Sequence, residues 1–466
     1  MNSRIAPARA SRGVHGRMLS EAPRRAAAVL AICLASTLAV PYAAYADVRP
    51  DDEILSETIA ERGVSVDVCP DIEAESALLV RNDGTAYFAR NADEPMKIAS
   101  ITKIMTAVVA LENAPLDTTI VVDAEAAGVG ESSAGLAEGD RMSLETALYA
   151  LMVPSGNDAA VAIAKTVGAM LAGGDESDPQ QAFVHAMNAK AQTLGCVDTL
   201  YTNPHGLDGG VFGDEAHSTA SDVVALVSYA MKNDTFRSIV DAGDTVVAVT
   251  SADGSTRELS LASTDELLGV YDGICGVKTG TTDAAGYCFA GAVVREAGSF
   301  YSVVLNSPES KARFDDTAEL YDWAYGNLVE KRLVNTRETV EYRGEDSPLA
   351  ARVAHTEWVD CSIDATVADP DLSVESFALE GPISQEVSYY DLQGDVKAGD
   401  IVGRLDFVQN GDLVAQTDLV AARDQAAPDF WQAIGVSIDR FIRSMQDQPL
   451  TASSECFNRP DSIRDL

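Results

Sequence analysis

Strand-forming segments bracket a long helical middle, and that order leaves the chain few architectures. Residues 77–81 and 85–90, joined by Asn82-Asp83-Gly84, read as a hairpin. Helical periodicity follows at 97–114, at 144–153 and 158–171 on either side of Pro154-Ser155-Gly156-Asn157, at 183–194 and at 219–232. From Gly273 the pattern turns to strands at 273–280, 287–295 and 300–306, with a turn at Glu296-Ala297-Gly298-Ser299 and a helix at 315–325. Strands first, helices in the middle and strands again suit an α+β fold. Its antiparallel sheet would have N- and C-terminal segments as neighbours and helices packed on it.

Past 329–337 the texture changes to short alternating segments such as 338–342, 387–390 and 400–408, so a small all-β domain is expected over 335–425 after a catalytic-sized domain at 47–334. The stretch 426–446 carries Phe430, Trp431, Ile434, Ile438, Phe441, Ile442 and Met445 on one helical face. That amphipathic helix reads either as an interfacial helix resting on a membrane or as a helix folded back onto the β domain, and a polar tail at 447–466 follows it. At the other end, Arg4, Arg9, Arg12, Arg17, Arg24 and Arg25 precede an apolar run at 26–40 and the small-x-small site Ala44-Tyr45-Ala46. Residues 1–46 are therefore expected to be a secretory signal, the run being shorter than the ~20 apolar residues that span a bilayer. An exported, extracytoplasmic protein follows.

Composition is that of a globular protein, with 46% apolar and 23% charged residues. Removing six arginines and one glutamate with 1–46 takes the net charge from -38 to -43. Such a surface repels nucleic acid, although scattered acidic charge mostly serves solubility. Six cysteines remain, Cys69, Cys196, Cys275, Cys288, Cys361 and Cys456. An even count on an exported chain points to disulfides, with Cys275 and Cys288 expected to lie nearly opposite each other in a hairpin; buried free thiols are the competing reading. A bond from Cys456 to Cys361 would favour the folded-back helix.

Within 97–114, Lys103 stands three residues after Ser100 among Ile101, Ile104, Met105, Val108 and Val109. A partly desolvated amine one turn from a serine can accept its proton near neutral pH, making Ser-x-x-Lys a nucleophile with its own base. Alone, the tetrapeptide reads better as an N-cap serine with a lysine reaching solvent. Ser155-Gly156-Asn157 alone is an ordinary inter-helix turn, and Lys278-Thr279-Gly280 alone an ordinary edge strand. Ordered together, at a helix start, an inter-helix loop and a strand end, the three weak signals become one strong one.

In these motifs the chain resembles the penicillin-recognising serine D-Ala-D-Ala carboxypeptidases, the low-molecular-mass penicillin-binding proteins. Around them the similarity includes GESSAGLAEGD at 130–140, NPHGLD at 203–208, GVKTGTTDAAGYC at 276–288 and FDDTAELYDWAYGN at 314–327, and it extends over roughly 75–425. The resemblance implies the transpeptidase/β-lactamase-like fold and an acyl-enzyme on Ser100 with Lys103 as base. Ser155 would relay a proton to the leaving group while Asn157 orients Lys103 and the substrate amide. Lys278 and Thr279 of the Lys278-Thr279-Gly280 strand would hold the terminal carboxylate, and the backbone N–H groups of Ser100 and Thr281 would form the oxyanion hole. It also implies peptidoglycan stem peptides as substrates, β-lactams as inhibitors, and no cofactor or metal. A catalytic His205 or His217 is disfavoured because the lysine already supplies a base.

Three competitors share parts of this pattern. A class A β-lactamase prefers Ser-Asp-Asn and needs a Glu-x-x-Leu-Asn stretch, which is missing between Asn157 and Lys278. A DD-endopeptidase keeps the same motifs, and a non-catalytic wall-binding protein would not need all of them.

Overall fold

The computed structural model describes residues 49–173 and 178–460. The expected signal at 1–46 and the last six residues of the expected tail lie outside the described residues. The central sheet has seven antiparallel strands: β1 (Glu53–Ile54), β2 (Glu57–Thr58), β3 (Ser76–Arg81), β4 (Ala86–Arg90), β5 (Ile274–Thr282), β6 (Gly286–Arg295) and β7 (Gly298–Ser307), in the order β2-β1-β4-β3-β7-β6-β5. The expected adjacency of the two ends is the β3–β7 pairing, with Val80 opposite Tyr301 and Leu78 opposite Val303.

Because successive strand residues point to opposite faces, the apolar runs of β3, β6 and β7 feed two cores. Leu78, Val80, Ala290, Ala292, Val303 and Leu305 face a helical layer, while Ala77, Leu79, Phe289, Val293, Phe300 and Val304 face the other way. The first layer comprises α1 (Lys103–Asn113), α2 (Leu144–Met152), α3 (Asn157–Ala172), α4 (Pro179–Thr193) and α5 (Ala220–Ala230). The second face is covered by α6 (Ala312–Asn327) through Phe314, Leu320, Tyr321 and Trp323. A further four-stranded sheet, Thr119–Val121, Arg141–Ser143, Thr245–Thr250 and Thr256–Leu261, escaped sequence reading, its longer strands being largely exposed and rich in threonine.

The cysteine expectation is corrected by the register of the β5–β6 hairpin. Cys288 pairs with Gly280, whereas Cys275 lies at the far end, its Sγ 3.4 Å from the carbonyl of Ala292. Among the described residues the six cysteines are free thiols. Burial pushes Cys275 and Cys288 up to about 11 and Cys196 to about 12, so they stay protonated and unreactive.

The all-β region starts before residue 335. Leu328–Arg332 pairs with Ser373–Phe377, and Phe377 inserts its ring against Tyr87 and Trp323 of the first domain at 4.8 and 5.2 Å. A six-stranded sheet follows around Val353, Ile363, Leu405, Phe407 and Leu419. Its longest hairpin, Ile401–Gln409 with Asp412–Ala421, turns at Asn410-Gly411, both in the left-handed region that a tight hairpin requires. The segment expected as a polar tail returns to this sheet, Cys456 pairing with Ala351.

Between them runs α7 (Phe430–Met445), opened by an Asp429–Gln432 capping box. It is fastened to the β domain by its polar side: Arg440 donates to the carbonyls of Thr356 and Trp358, and Arg443 pairs with Asp360. The folded-back reading is therefore only half right, because the apolar face points outward with Phe430 71% and Trp431 77% exposed. Among the described residues no helix is long and apolar enough to cross a membrane.

One ionic contact secures the N-terminal segment. Arg90 on β4 meets Asp52 bidentately at 2.8 and 2.7 Å and donates to the carbonyls of Ile72 and Ala74, both side chains being 1% exposed. Removing one partner leaves the other charge buried and uncompensated. Asp52→Ala is expected to lower the unfolding free energy by ~3–5 kcal/mol, read as a lower urea midpoint at constant slope.

Candidate active site

Ser100 sits in a 3-10 turn, Ala99–Thr102, and the α-helix proper begins at Lys103. This differs from a helix beginning at Ser100, yet the outcome is the same, since residues three apart eclipse in a 3-10 turn. Ala99 has φ 46°, a conformation costly without glycine and one often found beside reactive groups. Backbone crowds in from two sides. A Cβ on Gly280 would stand 2.6 Å from the carbonyl of Ile98 and 3.2 Å from the nitrogen of Ser100, and one on Gly206 would stand 1.9 Å from the carbonyl of Ala99. Glycine at 280 thus lets strand β5 touch the backbone of the nucleophile.

The Lys103 side-chain nitrogen is wholly buried and has three neighbours: Ser100 Oγ at 2.7 Å, Asn157 Oδ1 at 2.6 Å and the carbonyl of His205 at 2.8 Å. Burial, then the charge of Lys278, holds its pKa well below the usual lysine range, against the pull of Asp158. The carbonyl of His205 can only accept, and Asn157 is oriented by Nδ2 donating to Gly130 O at 3.0 Å, which turns its Oδ1 to the lysine. Two of the contacts of Lys103 are therefore with oxygens that can only accept. The third is with the Ser100 hydroxyl.

Asn157 starts α3, and Ser155 precedes it with φ 62°, buried in the same loop. The contacts on Lys103 come from Ser100, Asn157 and His205, and Ser155 makes none of them. Asp158, which sequence reading passed over as an N-terminal helix residue, is a hub. Its carboxylate accepts from Ser133 Oγ at 2.5 Å and from the N–H groups of Ala134 and Leu136 at 3.0 Å, holding the 130–136 loop against α3.

On β5, Lys278 and Thr279 are nearly inaccessible, Lys278 Nζ donating to the carbonyl of Thr279 at 3.0 Å. Thr281 lies further along and lines the cleft. Arg313, at the start of α6, was missed although its helix was recognised. It donates to Gly280 O at 3.2 Å and Thr281 Oγ1 at 3.0 Å, and its guanidinium lies 4.8 Å from the Phe314 ring. A single arginine ahead of an acidic, aromatic helix was the available signal. Thr264, also missed, has its hydroxyl 2.6 Å from that of Thr279.

His205 is no base: burial, then Lys103, presses it to about 3, and its Nδ1 accepts from the N–H of Leu207 at 3.1 Å. His217 contacts the backbone of Glu215. Ser100, Asn157 and Thr281 open onto a cleft of about 720 Å³ that is also lined by Glu131, Asp208, Asp214 and Asp283.

A profile of the D-alanyl-D-alanine carboxypeptidase family matches residues 63–309. The chain is 25% identical over 368 residues to D-alanyl-D-alanine carboxypeptidase DacF of Bacillus subtilis, covering 77% of this chain and 87% of that protein. It is similar to the crystal structure of the Streptomyces K15 DD-transpeptidase, with 31% identity, a TM-score of 0.50, and coverage of 55% of this chain and 97% of that one. The fold also matches D-alanyl-D-alanine carboxypeptidase DacD of Francisella tularensis at a TM-score of 0.52 and 24% identity, over 76% of this chain and 94% of that one.

The close approach at Gly280 generates a prediction. Gly280→Ala must push β5 from Ser100 by a sizeable fraction of an ångström, and misplacement on that scale costs on the order of 10²-fold in rate. Acylation by a fluorescent penicillin, followed by stopped flow, should slow accordingly while thermal unfolding changes little.

Proposed function

The chain belongs to the D-alanyl-D-alanine carboxypeptidase family of serine peptidases, and from that premise we propose that it removes the terminal D-alanine from peptidoglycan stem pentapeptides through an acyl-enzyme on Ser100. The observation that carries the reading is the buried Lys103 nitrogen, 2.7 Å from the Ser100 hydroxyl and held by two oxygens that can only accept, so that as a neutral amine it turns its lone pair to the serine. Ser100 Oγ attacks the carbonyl carbon of the penultimate D-alanine while its proton passes to Lys103. The oxyanion is held by the backbone N–H groups of Ser100 and Thr281, a contribution whose loss costs ~10²–10³ in rate. When the C–N bond breaks, the leaving nitrogen receives a proton by way of Ser155, and Asn157 keeps the lysine and the substrate amide aligned. Water then cleaves the ester, returning Ser100.

The substrate's terminal carboxylate binds at the end of β5, against Thr279 and Thr281, with the buried cations Lys278 and Arg313 behind them. Charges kept away from water act strongly across such a short distance. Penicillins, carrying a carboxylate beside a strained amide, enter the same way and acylate Ser100. Incubation with a pentapeptide ending in D-Ala-D-Ala should release one D-alanine, detected by mass, and Ser100→Ala should abolish it; an active Ser100→Ala chain would sink the assignment.

The outward aromatic face of α7, together with the signal-like pattern at 1–46, supports a place at the outer face of the cytoplasmic membrane with α7 resting on lipid. The two arginines of its polar side are committed to the β domain, so the helix would carry the enzyme with it. Phe430 and Trp431 each gain ~1.5–3 kcal/mol when fully removed from water. Replacing Trp431 and Phe441 together by serine should reduce co-sedimentation with phospholipid vesicles at least tenfold and leave peptide hydrolysis in solution unchanged.

A further inference from the structure

Residues 130–132 line the cleft beside Ser100, and Gly130 supplies the carbonyl that aims Asn157. The turn they form is unfavourable by itself: Gly130 and Glu131 both lie in the left-handed region, at φ 81° and 58°, and the second is not a glycine. Such a residue keeps that conformation only where its surroundings hold it there. The start of α3 does the holding. The N–H of Asn157 donates to the carbonyl of Ser132 at 2.8 Å, and the carboxylate of Asp158, 1% exposed, takes four hydrogen bonds. Its Oδ1 accepts from the N–H groups of Ala134 at 3.0 Å and Ala159 at 2.8 Å, and its Oδ2 from the Ser133 hydroxyl at 2.5 Å and the N–H of Leu136 at 3.0 Å. Gly156 makes room for this carboxylate, since a Cβ there would stand 2.6 Å from Asp158 Oδ1. The far limb of the loop has a separate tie, Arg257 donating to the carbonyl of Gly135 at 2.9 Å and pairing with Asp140.

We propose that Asp158 is a positioning residue for acylation, clamping the 130–136 loop so that the Gly130 carbonyl keeps the Asn157 carboxamide with its oxygen on Lys103. This rests on the carboxypeptidase reading and adds to it a residue outside the three motifs. The two ends of a carboxamide are nearly equal in shape and opposite in function, since the oxygen only accepts and the nitrogen only donates. Asn157 has its Nδ2 3.0 Å from Gly130 O and its Oδ1 2.6 Å from Lys103 Nζ, so the acceptor at one end selects which atom meets the lysine at the other. With the clamp released, Glu131 can relax to negative φ, the Gly130 carbonyl swings with it, and the amide loses the acceptor that fixes its turn. A flipped amide would set N–H donors against Lys103 and leave the base without one of its anchors. The through-space effect of the carboxylate runs the other way. Asp158 pulls Lys103 towards its charged form, so removing the negative charge alone would favour the neutral amine; slower acylation without it therefore has geometry as its cause.

The test is the rate constant for acylation by a fluorescent penicillin, measured per competent site, in a cycle with Asn157→Ala. Asp158→Asn turns one acceptor oxygen into an amide nitrogen that faces donors, and should slow acylation on the order of 10²-fold. Ser133→Ala removes one donor to the clamp, leaves the Arg257 tie in place and should slow acylation by a smaller factor. In the Asn157→Ala background either change should slow it by less than about twofold more, because the group through which Asp158 acts is already gone. A carboxylate with a merely structural role would lower the urea midpoint and leave the per-site rate constants unchanged. That outcome, or equal slowing by Asp158→Asn in both backgrounds, would overturn the role of Asp158 alone. If Asp158→Asn takes up no penicillin because it does not fold, Ser133→Ala in the two backgrounds decides by the same criteria. A wild-type chain that neither releases D-alanine nor takes up penicillin would overturn the carboxypeptidase reading, and this proposal with it.

Discussion

Holding one amine out of water is the constraint from which the organisation of the first domain follows. An ammonium removed from water without compensation is expensive, and the least costly outcome is loss of its proton. Lys103 is surrounded by apolar side chains of α1 and supplied with two oxygens that can only accept, so its nitrogen is both bonded and oriented. Its third contact is the serine hydroxyl. A lysine at the surface would remain charged and could take no proton.

Keeping that amine dry while letting substrate reach Ser100 requires three backbone segments to converge. Strand β5 comes in at Gly280, the 203–207 loop at Gly206 and the 130–136 loop through Asp158. Each approach is close enough that a side chain or an unpaired carbonyl would separate them. The strained backbone at Ala99 and Ser155 belongs to the same economy of space, since both residues take the left-handed conformation, one beside Ser100 and the other two residues before Asn157. Packing on both faces of the sheet, with α6 on one side and α1 to α5 on the other, makes these positions rigid.

The second domain does different work. Its link to the first is the strand pair Leu328–Arg332 with Ser373–Phe377, which brings Phe377 into the lower core, and the Arg81–Glu375 contact at 2.6 Å. At its other end, α7 directs its arginines inward and its aromatic residues outward. Helical periodicity made the amphipathic face visible in the sequence. Which way the face points was not visible, because that depends on Asp360 and the carbonyls of Thr356 and Trp358, some eighty residues away along the chain.

The amino-acid sequence by itself determined the α+β class, the neighbouring strands at the ends of the first domain and the three motifs with Ser100, Lys103, Asn157 and Lys278. It could do so because strand and helix periods and short motif spacings are local properties. The free state of Cys275 and Cys288 was decided by hairpin register, and the return of residues near Cys456 to the β domain by long-range pairing. Arg313, Thr264 and Asp158 likewise emerged only in three dimensions. Each acts through a contact between segments distant in the chain, and such distances are set by packing rather than by spacing.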